Sequence, residues 1–193
     1  MSVTDHLLYA AAWFTFGVLH SATAGASSRA GLGRLFGRGH RLAYNILALA
    51  QLVAVLGVGA WAGAGARNFN VPPPVPVVQY ALLAIGLLLG LAALRAYRAG
   101  PFIGWAQLAG EEDDGQPLVT DALHARMRHP LYTALFCILW GAARDELGLA
   151  TAIWGSLYLF GGSVFEERRL VVRYGEPYRA YRRATPRFIP RVF

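Results

Sequence analysis

Five long apolar stretches constrain this chain more than any other feature. They run over His6–Ala26, Leu42–Ala64, Val77–Tyr97, Pro130–Ala143 and Leu147–Phe165. Crossing a bilayer core of about 30 Å takes about 20 helical residues. Four of the stretches meet that length. The fourth in order, about fourteen residues, is short enough to need a tilt and a tight hairpin with the fifth, turning at Arg144-Asp145-Glu146-Leu147-Gly148. Composition agrees, because hydrophobic residues make up 55% of the 193 positions and charged residues only 15%. A soluble globule of this size carries nearer a quarter charged residues. The expected fold is therefore all-α, an integral membrane protein with about five transmembrane helices. It is expected to form one membrane domain over residues 1–193, with three transmembrane helices within 1–98. The opening Met1-Ser2-Val3-Thr4-Asp5 has no basic region of the kind that precedes a cleaved signal peptide, so the first stretch is expected to stay as a membrane helix.

Arginine placement sets an orientation. All 18 basic residues are Arg, a bias expected of a GC-rich coding sequence. Arg29, Arg34, Arg38 and Arg41 follow the first stretch, and Arg95, Arg98, Arg126 and Arg128 follow the third. Arg168, Arg169, Arg173, Arg179, Arg182, Arg183, Arg187 and Arg191 follow the fifth. Only Arg67 and Arg144 fall on the opposite side. Basic short loops stay cytoplasmic, so the N-terminus is expected outside and a helical C-terminal tail in the cytoplasm, with a bacterial inner membrane as the expected location. The basic excess of a nucleic-acid binder sits on a soluble domain with mixed Lys and Arg, so no nucleic-acid partner is expected. One cysteine, Cys137, excludes an internal disulfide and a cysteine zinc site. His6, His20, His40, His124 and His129 show no metal-ligand spacing, so no metal is expected. Val71-Pro72-Pro73-Pro74-Val75-Pro76 is expected as a stiff extended spacer on the outer side. Gly100–Gln116 is expected as a mobile loop, with Glu111-Glu112-Asp113-Asp114 at its tip.

Two segments could carry chemistry. In Arg128-His129-Pro130-Leu131-Tyr132, Pro130 suits the first turn of a helix, where its missing N–H costs nothing, and it forces His129 out of helical conformation. Arg128 and His129 then stand at a helix N-terminus, a place suited to an anionic group such as a carboxylate. A positive-inside anchor is the plainer reading of the same residues. In the second segment Glu166-Glu167 ends a membrane helix, where carboxylates are costly unless paired or functional. Adjacent helical positions point about 100° apart, so one of the two is expected to face inward. Tyr174, Tyr178 and Tyr181 follow at i, i+4 and i+7. They read either as an interfacial aromatic anchor or as the wall of a ring-binding site.

Taken in order, these pieces resemble the C-terminal module of the isoprenylcysteine carboxyl methyltransferase and phospholipid methyltransferase superfamily. The module runs Arg-His-Pro-x-Tyr, a helical hairpin, Glu-Glu, Gly-x-x-Tyr-x-x-Tyr and Pro-Arg-x-x-Pro. Here these are Arg128–Tyr132, Glu166-Glu167, Gly175–Tyr181 and Pro186-Arg187-Phe188-Ile189-Pro190, and the resemblance covers about 118–190. Thr120-Asp121 fits as well, although Ala122 stands where the family has glycine and His124 where it more often has tyrosine. The resemblance implies S-adenosyl-L-methionine as cofactor, with S-adenosyl-L-homocysteine as product. It implies His129, Pro130, Tyr132, Glu166, Glu167, Tyr178, Tyr181 and Arg187 as cofactor-binding residues, and Arg128 and Glu167 as catalytic ones.

The first half is similar to bacterial methanethiol S-methyltransferases and to NnrU-type membrane proteins, through Leu19-His20-Ser21 and Arg41-Leu42-Ala43-Tyr44-Asn45. That makes His20 the candidate for the acceptor pocket, against the plainer reading of a histidine bonded to a neighbouring helix. The implied activity is methyl transfer to a small thiol or an apolar, lipid-like acceptor reached from the membrane, with membrane lipids as partners. The alternative is a haem-binding or NADPH-dependent membrane oxidoreductase or isomerase of the NnrU or sterol-reductase type.

Overall fold

The computed structural model describes residues 1–96, 104–109 and 117–190. The described residues form helices, turns and loops, with one isolated bridge between Asn68 and Asp145 and no strand. They gather into two compact units, one built on Met1–Arg67 with the described part of Arg98–Gly115, the other on Asn68–Tyr97 and Gln116–Phe193.

The first unit contains α1 (Val3–Thr23), α2 (Ala26–Phe36), α3 (His40–Ala62) and the short α5 (Trp105–Leu108). Ser2 caps α1 reciprocally: its hydroxyl accepts from the Asp5 amide at 3.2 Å and its own amide donates to the Asp5 carboxylate at 2.6 Å. α1 packs on α3, and its buried face is a run of aromatic side chains. Tyr9, Trp13 and Phe16 recur at i, i+4 and i+7 and are all buried. Their rings meet edge to face at 6.2 and 5.7 Å, and Phe16 continues to His20 at 5.6 Å. Gly59 of α3 receives the Tyr9 ring so closely that a Cβ there would lie 2.6 Å from it.

The second unit contains α4 (Pro74–Ala96), α6 (Pro130–Gly141), α7 (Glu146–Tyr174) and α8 (Glu176–Ala184). α4 and α6 make the most extensive helix pair in the molecule. Small residues permit it: a Cβ on Gly86 would lie 2.8 Å from the Ala134 carbonyl, and one on Gly141 2.6 Å from the Leu83 amide. Gly86 and Gly90 form the small-xxx-small spacing by which membrane helices bring their backbones together. α6 turns into α7 over four residues. Asp145 caps α7 by accepting from the Gly148 amide at 2.6 Å, and the Arg144 carbonyl accepts from the Phe69 amide at 3.0 Å.

Three helical segments are long and apolar enough to cross a membrane: Ala30–Ala62, Pro74–Arg95 and Glu146–Tyr174. The first two overlap most of the second and third expected stretches, and the last contains the fifth. The fourth is the shorter apolar helix Pro130–Gly141. The first is α1, a 21-residue helix whose sequence is broken by Asp5, His6, Thr15, His20 and Ser21. The proline-rich spacer is shorter than expected, because α4 already begins at Pro74. Prolines in a first turn lack only N–H groups that would have no helical partner, so Pro74 and Pro76 are accommodated there. The acidic tip Glu111–Asp114 lies outside the described residues.

Candidate functional site

Helix α6 opens as the sequence requires. His129 is its N-cap with φ −125° and ψ 65°, and Pro130 follows in the first turn. The residues before it pair with the chain's end. The Arg128 amide donates to the Pro186 carbonyl at 2.9 Å and the His129 amide to the Arg187 carbonyl at 3.0 Å. The Thr133 hydroxyl lies within hydrogen-bond reach of the carbonyls of His129 (3.1 Å) and Phe188 (2.9 Å). Residues 186–188 are thereby strapped along the mouth of α6. Phe188 anchors the strap, its ring 5.0 Å from Phe136 and 5.8 Å from His129.

Under the strap sits Glu167. It is 2% exposed, while its neighbour Glu166 is 40% exposed, so the helical turn between them divides the pair into an inward and an outward carboxylate. Three basic side chains converge on Glu167. Arg128 reaches Oε1 through Nε at 2.9 Å and Nη2 at 2.8 Å. Arg187 reaches Oε1 through Nε at 3.1 Å and Oε2 through Nη2 at 2.9 Å, the two-pronged geometry that guanidinium and carboxylate favour. His129 Nε2 stands 3.2 Å from Oε1. Arg128 is used further: its Nη1 donates to the carbonyls of Arg182, at 2.9 Å, and Thr185 at the end of α8. A buried carboxylate alone would be prohibitively costly, and this set of donors is what makes it tolerable.

The histidine ring carries two further relations. Its plane lies 3° from that of Tyr132 at 5.2 Å, a stacked pair, and Nδ1 faces Glu166 Oε2 at 3.8 Å. Burial lowers the His129 pKa below its ordinary value of 6.5, with Glu166 and Glu167 pulling the other way. His129 is thus neutral at pH 7, and with Nε2–H donated to Glu167 its Nδ1 is left as an acceptor. His124 is also buried and lowered by burial, against the opposing pull of Asp121.

Tyr178 and Tyr181 close the cluster from α8. The Tyr181 hydroxyl donates to the His124 carbonyl at 2.6 Å. Tyr178 is 1% exposed and its hydroxyl is buried without a hydrogen-bond partner. Burial, with the nearby Glu167 charge, pushes its pKa up to about 12. Tyr174 does not share their face, contrary to the expectation from spacing. α7 stops at Gly175, whose φ of 62° breaks the helical register, and α8 starts afresh.

Of the residues singled out from sequence, Arg128, His129, Tyr132, Glu166, Glu167, Tyr178 and Arg187 thus share contacts or neighbours in one cluster, with Pro130 fixing its helix start. His20 belongs to the first unit, where its Nε2 lies 3.1 Å from the Tyr44 hydroxyl. The His-Ser and Arg-x-x-Tyr segments of the first half therefore meet as a histidine–tyrosine pair. Sequence reading missed Thr133, Thr185 and Phe188, which act through backbone carbonyls or ring packing and carry no chemical signature. It also missed the backbone at Ala122, which takes φ 49°. The family's glycine at this position was the available signal.

The chain is 31% identical over 136 residues to methanethiol S-methyltransferase 2 of Bradyrhizobium diazoefficiens, covering 63% of this chain and 52% of that protein. It is 31% identical over 119 residues to a methanethiol S-methyltransferase of Crocosphaera subtropica, 59% of this chain and 47% of that one. The chain is similar to methanethiol S-methyltransferases. A further one, from Pseudomonas deceptionensis, matches over 72 residues at 31% identity, 37% of this chain and 28% of its own length. The chain spans about half the length of the first two of these curated relatives. No family model and no solved structure matches it.

Proposed function

We propose that this chain is an integral membrane methyltransferase that uses S-adenosyl-L-methionine and methylates a small thiol. The observation that carries the reading is the convergence of Arg128, His129 and Arg187 on the buried Glu167, joining three separated pieces of the motif, in a chain similar to methanethiol S-methyltransferases. The residues around the clamp fit such a cofactor. The buried Tyr178 hydroxyl lacks a partner, and the Glu166 carboxylate stands 3.8 Å from His129 Nδ1, two polar groups to which a cofactor could offer donors. When bound, S-adenosyl-L-methionine supplies an electrophilic methyl group on a sulfonium.

The chain's own residues then have distinct work. Glu166, His129 Nδ1 and Tyr178 bind and orient polar groups. The stacked His129–Tyr132 pair and Phe188 exclude water from one side. Glu167 and Arg128 act as positioning residues, because their donors and acceptors are occupied by each other, by Arg187 and by the end of α8. Alignment and exclusion of water are the main demands of such a transfer, and a pre-set clamp meets them. His20, paired with Tyr44, is the candidate for the acceptor side. Five membrane crossings, an outside N-terminus and a cytoplasmic C-terminal tail in a bacterial inner membrane complete the reading. The crossings rest on the five apolar stretches and the orientation on the arginine distribution.

The test uses the full chain in lipid nanodiscs, with methyl-labelled cofactor and methanethiol, a prenylcysteine and a phospholipid as competing acceptors. Label is expected in dimethyl sulfide and to fall at least about a hundredfold in Glu166→Ala. Label entering the prenylcysteine or phospholipid would move the acceptor class, and label in none of them would overturn the reading.

A further inference from the structure

A second surface on the same helices takes no part in the clamp. Arg168, Arg169 and Arg173 on the last turns of α7, and Arg179, Arg182 and Arg183 on α8, are all exposed. One exposed carboxylate answers them: Glu176 pairs with Arg179 at 3.6 Å and Arg183 at 2.7 Å. Among the described residues, Arg168, Arg169, Arg173 and Arg182 have no ion pair to a carboxylate, and Glu167 is already consumed by Arg128 and Arg187. Large apolar side chains stand bare among these charges. Val172 is 87% exposed, Ile189 81%, and Phe165 lies with its ring 5.6 Å from the Arg168 guanidinium.

The spacing gathers the α7 residues on neighbouring faces, since 165, 168, 169, 172 and 173 follow one another at three- and four-residue steps. On α8, Arg179 and Arg183 share a face at a four-residue step, and Arg182, one turn beyond the buried Tyr178, is exposed as well. Water alone does not favour such bare aliphatic groups between cations. The boundary between hydrocarbon and phosphate favours both, and α7 is one of the helices long enough to cross a membrane, with this surface at its end. Guanidinium groups match phosphate oxygens in two-pronged fashion and are less strongly hydrated than ammonium groups.

We propose that the exposed face formed by the last turns of α7 and by α8 binds the headgroups of anionic phospholipids, with Phe165 and Val172 seated at the acyl boundary. The inference does not depend on the methyltransferase reading. It does bear on the clamp, because the carbonyls of Arg182 in α8 and of Thr185 just past its end hold Arg128. A lipid that fixes α8 fixes that end of the network too.

Native mass spectrometry of the full chain in detergent, given equal amounts of phosphatidylglycerol and phosphatidylcholine, tests this. The expected result is a preference of about tenfold or more for the anionic lipid. It should fall to near parity in R168Q/R169Q/R173Q and in R179Q/R182Q/R183Q. Both variants change only exposed side chains, and an unaltered circular dichroism spectrum is the check that each has folded. Equal occupancy by the two lipids in the unaltered chain, or an unchanged preference in both folded variants, would overturn the proposal. So would complete displacement of phosphatidylglycerol by inorganic phosphate, which would make this a phosphate site and not a lipid one.

Discussion

The two units hold themselves together by opposite means. In the first, α1 and α3 meet through Tyr9, Trp13 and Phe16, with the Tyr9 ring pressed on Gly59. In the second, α6, α7, α8 and the strap meet at one buried carboxylate surrounded by arginines. Ring packing is assembled from many weak contacts and degrades gradually. A buried ionic knot is all-or-none, because removing one member strands the others without water. The first unit can therefore tolerate variation that the second cannot, and the second can fix the place of several side chains to within a hydrogen bond.

The largest effect is expected from Glu167→Ala. It leaves the largely buried Arg128 without its carboxylate beside a part-exposed Arg187, and a loss of about 3 kcal/mol is expected in thermal or denaturant unfolding in detergent. A change below about 1 kcal/mol would mean the knot is solvated and the contrast false. Gly59→Ala comes next. Its new methyl would press on the Tyr9 ring, and about 1–3 kcal/mol is expected, unless the ring swings aside.

The pH effect expected from two histidines of the second unit is smaller. His129 and His124 both have folded pKa values below the ordinary 6.5. The unfolded chain therefore binds protons more readily, so their contribution is complete above about pH 6.5 and is lost as pH falls below it. Unfolding midpoints measured downward from about pH 7.5 should drop, and the drop should shrink in His129→Gln. A midpoint rising as pH falls would reverse the sign. The smallest effect is expected from Ala122→Gly. It relieves an alanine held at φ 49° but adds unfolded-state freedom, a net gain of about 0.5 kcal/mol.

The site was far more legible than the packing. Arg128, His129, Glu167 and Arg187 stand out because charged residues at membrane-helix ends need a reason, and their order matches a family module. Which of Glu166 and Glu167 turns inward was not legible, since neighbouring positions differ only in rotation about the helix. Tyr174 was misgrouped because i, i+4, i+7 counting assumes an unbroken helix, and Gly175 breaks it. The aromatic run on α1 has helical spacing in the sequence too. It is hard to see there because a helix apolar on most sides has no polar face against which a packing stripe stands out. The start of α4 at Pro74 was hidden by prolines that suit a spacer and a first turn equally.

We propose that the clamp around Glu167 organises a site for S-adenosyl-L-methionine. Calorimetric titration of the detergent-solubilised chain with S-adenosyl-L-homocysteine tests it most directly. Saturable binding is expected, weakened at least about tenfold in a folded Glu166→Ala variant and about threefold in Tyr178→Phe, through loss of one hydrogen bond. No heat of binding from a folded, unaltered chain, or equal affinity in both variants, would contradict it.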